Sequence, residues 1–135
     1  MTIKGFETHL FSMSREEKEM LNICVEHLDP RNLKSEDTYD EYNEHLNNYK
    51  PYVQPQVIKN KLFDCNNYGQ IIFIKPEIEW LCRGLEELAL LALENPDDKN
   101  QIRNADIQLR ILDEFCSVVQ YKRQQELYDR FEELS

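Results

Sequence analysis

With 135 residues, 41% apolar and 31% charged, the chain is long enough to bury a core without disulfide or metal staples, and too apolar to be disordered by composition. Its net charge of -10 argues against direct contact with nucleic-acid phosphates or an anionic membrane, and for a basic protein surface as partner. Three glycines and five prolines leave little material for long flexible linkers.

The length suits one domain, residues 1–135. The start, MTIKGFETHL, lacks the apolar stretch of a signal peptide, and the longest apolar run, LALLAL at 88–93, is too short for a membrane span. Cys24, Cys65, Cys82 and Cys116 form no C-x-x-C pair, which disfavours a zinc ribbon or finger. These features predict a cytoplasmic protein with reduced thiols.

In chain order, TIKGFETHLF reads equally as an edge strand or an irregular lead-in. Ser14 followed by Glu17 is a capping box, and Met20, Leu21, Cys24, Val25 and Leu28 continue at helical spacing. Asp29-Pro30 closes that helix. Ser35 opens a second helix, SEDTYDEYNEHLNNY, which Pro51 stops. PYVQPQ, 51–56, is expected to run extended.

Residues 57–75 predict a β-hairpin: VIKNKLF as one strand, DCNNYG as the turn with Gly69 at positive φ, and QIIFIK as a return strand covered on both faces. Lys59, Lys61 and Lys75 make this segment net positive, which suits protection of a strand edge better than an anion site.

Pro76 fits the first turn of a third helix. Ile78, Leu81, Cys82, Leu85, Leu88, Ala89 and Ala92 form its apolar stripe, while Glu79, Arg83, Glu86 and Glu87 lie opposite. Asp97 or Asp98 caps a fourth helix, with one stripe through Ala105, Leu109, Leu112, Cys116 and Val119 and another through Ile107, Ile111, Phe115 and Val118. Two stripes predict that this long C-terminal helix is central. Its polar continuation keeps Leu127, Tyr128, Phe131 and Leu134, a candidate homodimer seam. The predicted fold is α+β and predominantly helical: about four helices and one β-hairpin, with a helical part over 1–50, the hairpin at 57–75 and two helices over 76–135.

Catalytic signatures are missing: no Gly-rich phosphate loop, G-x-S-x-G, H-E-x-x-H or EF-hand loop occurs. His27, with Cys24, Glu26 and Asp29 close by, is the best metal candidate, but a histidine in a last helical turn also suits the helix dipole. Cys24, Cys82 and Cys116 fall on apolar faces and read as inert core thiols. Glu86 and Glu87, adjacent on a helix, point about 100° apart and cannot share a site. No catalytic residue, metal or cofactor is expected.

The second helix carries the functional signal. Asp37, Asp40, Glu41 and Glu44 fall at i, i+3, i+4 and i+7 as one carboxylate stripe, and Tyr39, Tyr42, Leu46 and Tyr49 fall opposite. Like charges at i,i+4 destabilise a helix by a few tenths of a kcal/mol, roughly 0.2–0.5 per pair. No lysine or arginine lies between 35 and 49 to offset them. Adjacent carboxylates stand ~5–6 Å apart, of the order of phosphate spacing. Such a row suits either plain solvation or a basic groove built for nucleic acid. The glutamates of the third helix add a second acidic region. The expectation is a small binding protein, an inhibitor or antagonist of the phage anti-defence or immunity type, with the carboxylates docking on a basic partner surface and Tyr52, beside the proline bend, as an exposed aromatic anchor. The alternatives are an assembly subunit joined through the C-terminal helix and, less favoured, a metal-binding or thiol enzyme.

Overall fold

Thr2–Ile3 (β1) and Phe6–Ser12 (β2) run antiparallel, with Thr2 opposite Glu7 and Ile3 opposite Phe6. Gly5 between them sits at φ 85°, where a side chain would be strained. These are the first elements of a computed structural model that describes residues 2, 3, 5–28, 53–63, 69–119 and 124–134. The open reading of the N-terminus thus resolves to strand. β2 is the middle strand of a three-stranded sheet, because Gln70–Ile74 (β3) pairs antiparallel along its other edge, from Thr8 opposite Ile74 to Ser12 opposite Gln70.

Arg15–Leu28 (α1) starts as its sequence requires. Ser14 Oγ accepts from the Glu17 backbone N–H at 3.2 Å, and Glu17 Oε1 accepts from the Ser14 N–H at 3.0 Å, the reciprocal capping box. The expected stripe of Met20, Leu21, Cys24, Val25 and Leu28 is buried. The predicted helix over 35–50 lies outside the described residues.

The hairpin expected over 57–75 is corrected. Its first half is a helix, Pro55–Leu62 (α2), and its second half, β3, pairs with β2 instead. Pro55 opens the helix, where its missing N–H costs nothing. Ile58 and Leu62, four apart, are the buried residues of α2. Val57 and Ile58 favour strands, but burial of one helical face overrides that preference. The lysines are corrected with it. Lys59 faces Glu26 of α1 at 3.6 Å, and Lys61 meets Glu77 at 2.9 Å, so they tie α2 to its neighbours and guard no strand edge. Pro55 also ends the extended run expected through residue 56.

β3 is covered on the face of Ile71 and Phe73, and on its other face only at Ile74, where two covered faces were expected. Ile71 and Phe73 are buried, while Ile72 and its cross-strand partner Leu10 are exposed. Gly69 does take a positive φ, 85°, as its sequence position predicts. Its carbonyl accepts from the Met13 N–H at 2.8 Å, which extends the β2–β3 ladder.

Lys75–Glu94 (α3) begins directly at the end of β3. Glu77 reaches back so that Oε1 accepts from the Ile74 N–H at 2.9 Å, while both its oxygens accept from Lys61. The carboxylate is buried but fully engaged, which is the condition for tolerating a charge there. α3 packs on α1, β2 and β3 and on both helices that follow it, Lys99–Cys116 (α4) and Gln124–Leu134 (α5). It is the hub of the fold, where the fourth helix was expected. The reason lies in residues off its stripe. Trp80 and Gly84 are buried too, so α3 is covered nearly all round.

Asp98 caps α4, its Oδ1 accepting from Asn100 and Gln101 N–H at 3.1 and 3.2 Å. Ala105, Leu109, Leu112, Ile107, Ile111 and Phe115 are buried, so both expected stripes are used, although Cys116 is half-buried and Val118 exposed. Phe115 stacks edge-on against Phe11 and Phe73, at ring centroid distances of 5.0 and 6.0 Å, and so clamps the sheet to α4. The helix stops at Ser117, and α5 is a separate helix. The architecture is predominantly helical α+β, with five helices and three strands among the described residues. None of these helices is long and apolar enough to cross a membrane.

Candidate functional site

The carboxylate stripe, Asp37, Asp40, Glu41 and Glu44, and the proposed anchor Tyr52 lie outside the described residues. Of the seam residues, Leu127 is 2% exposed and belongs to the chain's own core, with Phe131 packed against it. Leu127 is therefore committed within this chain, and no seam can count on it. Tyr128 and Leu134 fall on the same helix, α5.

Of the α3 glutamates expected to form a second acidic region, Glu79 and Glu87 are half-buried and Glu94 is exposed. Glu77 and Glu86 are buried. Glu87 Oε1 accepts from Arg83 Nε at 3.2 Å, the expected i,i+4 pair, and its Oε2 lies 3.0 Å from His27 Nε2. Glu79 stands 3.9 Å from Lys75 Nζ. Glu77 and Glu87 tie α3 to its neighbours, through Lys61 and His27. Exposed acids gather instead on α5: Glu126, Asp129, Glu132 and Glu133, with Arg130 as the accompanying base.

The chemistry weighed for metals and thiols is placed as follows. Cys24 turns inward, its thiol donating to the Leu81 carbonyl at 3.4 Å, while His27 pairs with Glu87. They therefore diverge, and no group of three or more His, Cys, Asp or Glu among the described residues is arranged to hold a metal. Burial pushes the Cys24 and Cys82 thiols far above their ordinary value of 9.0, and Glu87 adds to the effect on Cys24. Cys116 is pushed up to about 11 by burial and by Asp113. Thiols held this way are protonated at neutral pH and are poor nucleophiles.

One small cleft lies between α1, α3 and α4. It is a cleft of about 120 Å³ with two kinds of wall. Met20 and Ile23 of α1 and Leu88 and Leu91 of α3 supply apolar surface. Gln101, Asn104 and Gln108 of α4 supply three carboxamides. Gln108 is only 5% exposed, and its Nε2 has just a weak acceptor, Met20 Sδ, at 3.4 Å. The Oε1 atoms of Gln101 and Gln108 are buried without a hydrogen-bond donor. Native interiors contain few such groups, and each leaves a desolvation cost of about 1–3 kcal/mol. The sequence does carry a signal for this wall: carboxamides at 101, 104 and 108 follow i, i+3, i+7 spacing. That spacing alone does not mark a wall, because glutamine and asparagine on a helix ordinarily face water. A larger hollow, about 470 Å³, lies by Met13, Arg15, Lys18, Leu62 and Phe63, and adjoins in sequence residues 64–68, which lie outside the described set.

Comparison of the chain with protein-family models, curated proteins and solved structures finds no match.

Proposed function

We propose that the chain is a small acidic binding protein that docks on a basic surface of a partner protein, such as the groove of a nucleic-acid enzyme, and acts there as an inhibitor or antagonist of the anti-defence or immunity type. The observation that carries this reading is the net charge of -10 combined with the helical spacing of Asp37, Asp40, Glu41 and Glu44 in a segment, 35–49, that holds no lysine or arginine. The placement of the other acids supports the choice of that stripe. Glu77, Glu86 and Glu87 of α3 are buried or paired within the fold, which leaves them little part in a docking face. The raised thiol pKa values support a binding role over thiol catalysis. Tyr52 sits eight residues beyond Glu44 and would anchor the rim.

The test is affinity capture from a native lysate, followed by measurement of binding to the captured protein as salt is raised. The expected affinity falls steeply with salt, and Asp40→Lys combined with Glu44→Lys abolishes capture at low salt. Unchanged affinity in that double variant would rule out the acidic stripe as the docking face.

A further inference from the structure

The geometry points to the outer edge of β3 as a seam at which two copies of this chain pair strand to strand, antiparallel, into one continuous sheet. The seam is independent of the acidic stripe. In an antiparallel ladder, residues whose N–H and C=O bond the neighbouring strand alternate with residues whose groups point away. The Met13 N–H donates to the Gly69 carbonyl at 2.8 Å, so Gly69 faces β2. Counted in twos along the unbroken register, Ile71 and Phe73 face β2 as well, and Gln70, Ile72 and Ile74 point outward. The Ile74 N–H does point that way, since it donates to Glu77 Oε1 at 2.9 Å. Among the described residues no strand pairs along this edge, so the N–H and C=O groups of Gln70 and Ile72 meet no ladder. Gln70 is exposed, and Ile72 is 42% exposed.

Sheet edges are normally blunted by a charge, a proline or a bulge. β3 reads QIIFI in unbroken register and has none of these. A strand that covers it has to offer donors and acceptors at matching spacing, and a second β3 does. With the twofold axis at Ile71, Gln70 of one copy lies opposite Ile72 of the other, and both N–H groups and both carbonyls of each edge find partners. An axis at Ile72 would set Gln70 against Ile74, whose N–H is already held by Glu77, and would leave the Gln70 carbonyl unmet. The axis at Ile71 also brings together the exposed cross-strand pair Leu10 and Ile72 of each copy on the outer face. The two Ile72 residues become diagonal neighbours, ~7–8 Å apart and within reach of long side chains. The edge itself is uncharged, so the net charge of -10 on each copy opposes pairing only at long range, where salt screens it. So short a contact falls at the weak end of interfaces, and the dimer forms as concentration rises.

Sedimentation of the full chain from about 10 μM to about 1 mM follows the mass, and amide hydrogen exchange follows the edge. The mass is expected to rise from one chain toward two. At a given concentration it should be higher in high salt, opposite to the salt response of docking through the acidic stripe. The Gln70 and Ile72 amides should exchange more slowly as the mass rises, while those of Ile71 and Phe73, bonded to β2, stay protected throughout. Ile72→Pro removes an outward N–H, leaves the β2–β3 ladder whole, and should weaken pairing about tenfold. If proline distorts the strand, Ile72→Lys, which puts a charge on the edge, is read the same way. Three results would each overturn the proposal: a single chain at every concentration, a dimer whose Gln70 and Ile72 amides exchange as fast as in the single chain, or pairing untouched by either variant.

Discussion

α1 and α3 meet in two different ways. At Gly84 the two helices come as close as side chains allow. A methyl group added there would stand 2.6 Å from Leu28 Cδ1 and closer still to Cys24 Sγ. Cys24, fully buried there, donates its thiol to the Leu81 carbonyl, so its polar atom is engaged. Along Met20, Ile23, Leu88 and Leu91 the same two helices leave a gap, and α4 closes it with carboxamides whose oxygens go unmet. The contrast separates two demands on one helix pair. The seam is optimised for stability, while the cleft gives up stability that an apolar residue at 108 would restore.

The seam should break first. Gly84→Ala forces Cys24 and Leu28 out of place, and such overfilling of a close-packed core destabilises by about 3 kcal/mol at the upper end of its range. Urea unfolding measures this as a fall in midpoint. Combining it with Cys24→Ala should return part of the loss, because the second change vacates the space the new methyl needs. Additive losses would mean that the two helices do not meet at Gly84.

The seam should also fail first in alkali. Cys24 and Cys82 keep their protons in the folded chain well above the ordinary thiol value of 9.0, because burial penalises the thiolate. Above that value the unfolded chain releases protons that the folded chain retains. Stability is therefore full below pH 9 and declines as pH rises, by up to about 1.4 kcal/mol per pH unit for each buried thiol. Cys24→Ala with Cys82→Ala should flatten the slope measured between pH 9 and 10. Gln108→Met should leave it intact, since the cleft has no titrating group in its lining. That pair of slopes isolates the seam from the cleft.

The cleft should respond in the opposite sense. Gln108→Met removes the unmet oxygen while keeping the contact with Met20, and should raise stability by about 1 kcal/mol. Thermal unfolding at pH 7 reads the gain. A loss instead would mean that the Gln108 amide is satisfied in solution, and the contrast between the two contacts would collapse.

What the sequence made legible follows from the same distinction. Caps and stripes are local patterns, so Ser14 with Glu17, a cap at Asp97 or Asp98, and the apolar faces of α1 and α4 could be read directly. Gly69 could be placed because its turn has one chemical requirement. α2 could not, since VIKNKLF satisfies both a period of two and an i,i+4 pair, and only the burial of Ile58 and Leu62 decides between them. The central role of α3 depends on Gly84 meeting a helix sixty residues earlier in the chain, which no local pattern encodes. The carboxamide wall was visible as spacing but not as burial, because Ile107 and Leu109 flank Gln108 and draw attention to their own stripes.

The smallest effect concerns the far end of α4, where it lies near α1 again. Burial and the nearby Glu17 and Asp113 raise the Glu114 pKa above its ordinary 4.5, with Arg110 opposing them. A carboxylate with a raised pKa is favoured in its neutral form on folding. At pH 7 its charge therefore costs stability, and the cost disappears as pH falls through the folded value. Glu114→Gln should raise the urea midpoint slightly at pH 7 and leave it unchanged below about pH 4, where the carboxyl is neutral in both states. The gain stays small because the side chain is exposed and solvent screens it. High salt should reduce the gain at Glu114, which is electrostatic, and should not reduce the gain at Gln108, which arises from desolvation. Equal salt sensitivity at the two positions would place the Gln108 effect on the surface and remove the buried acceptor from the account of the cleft.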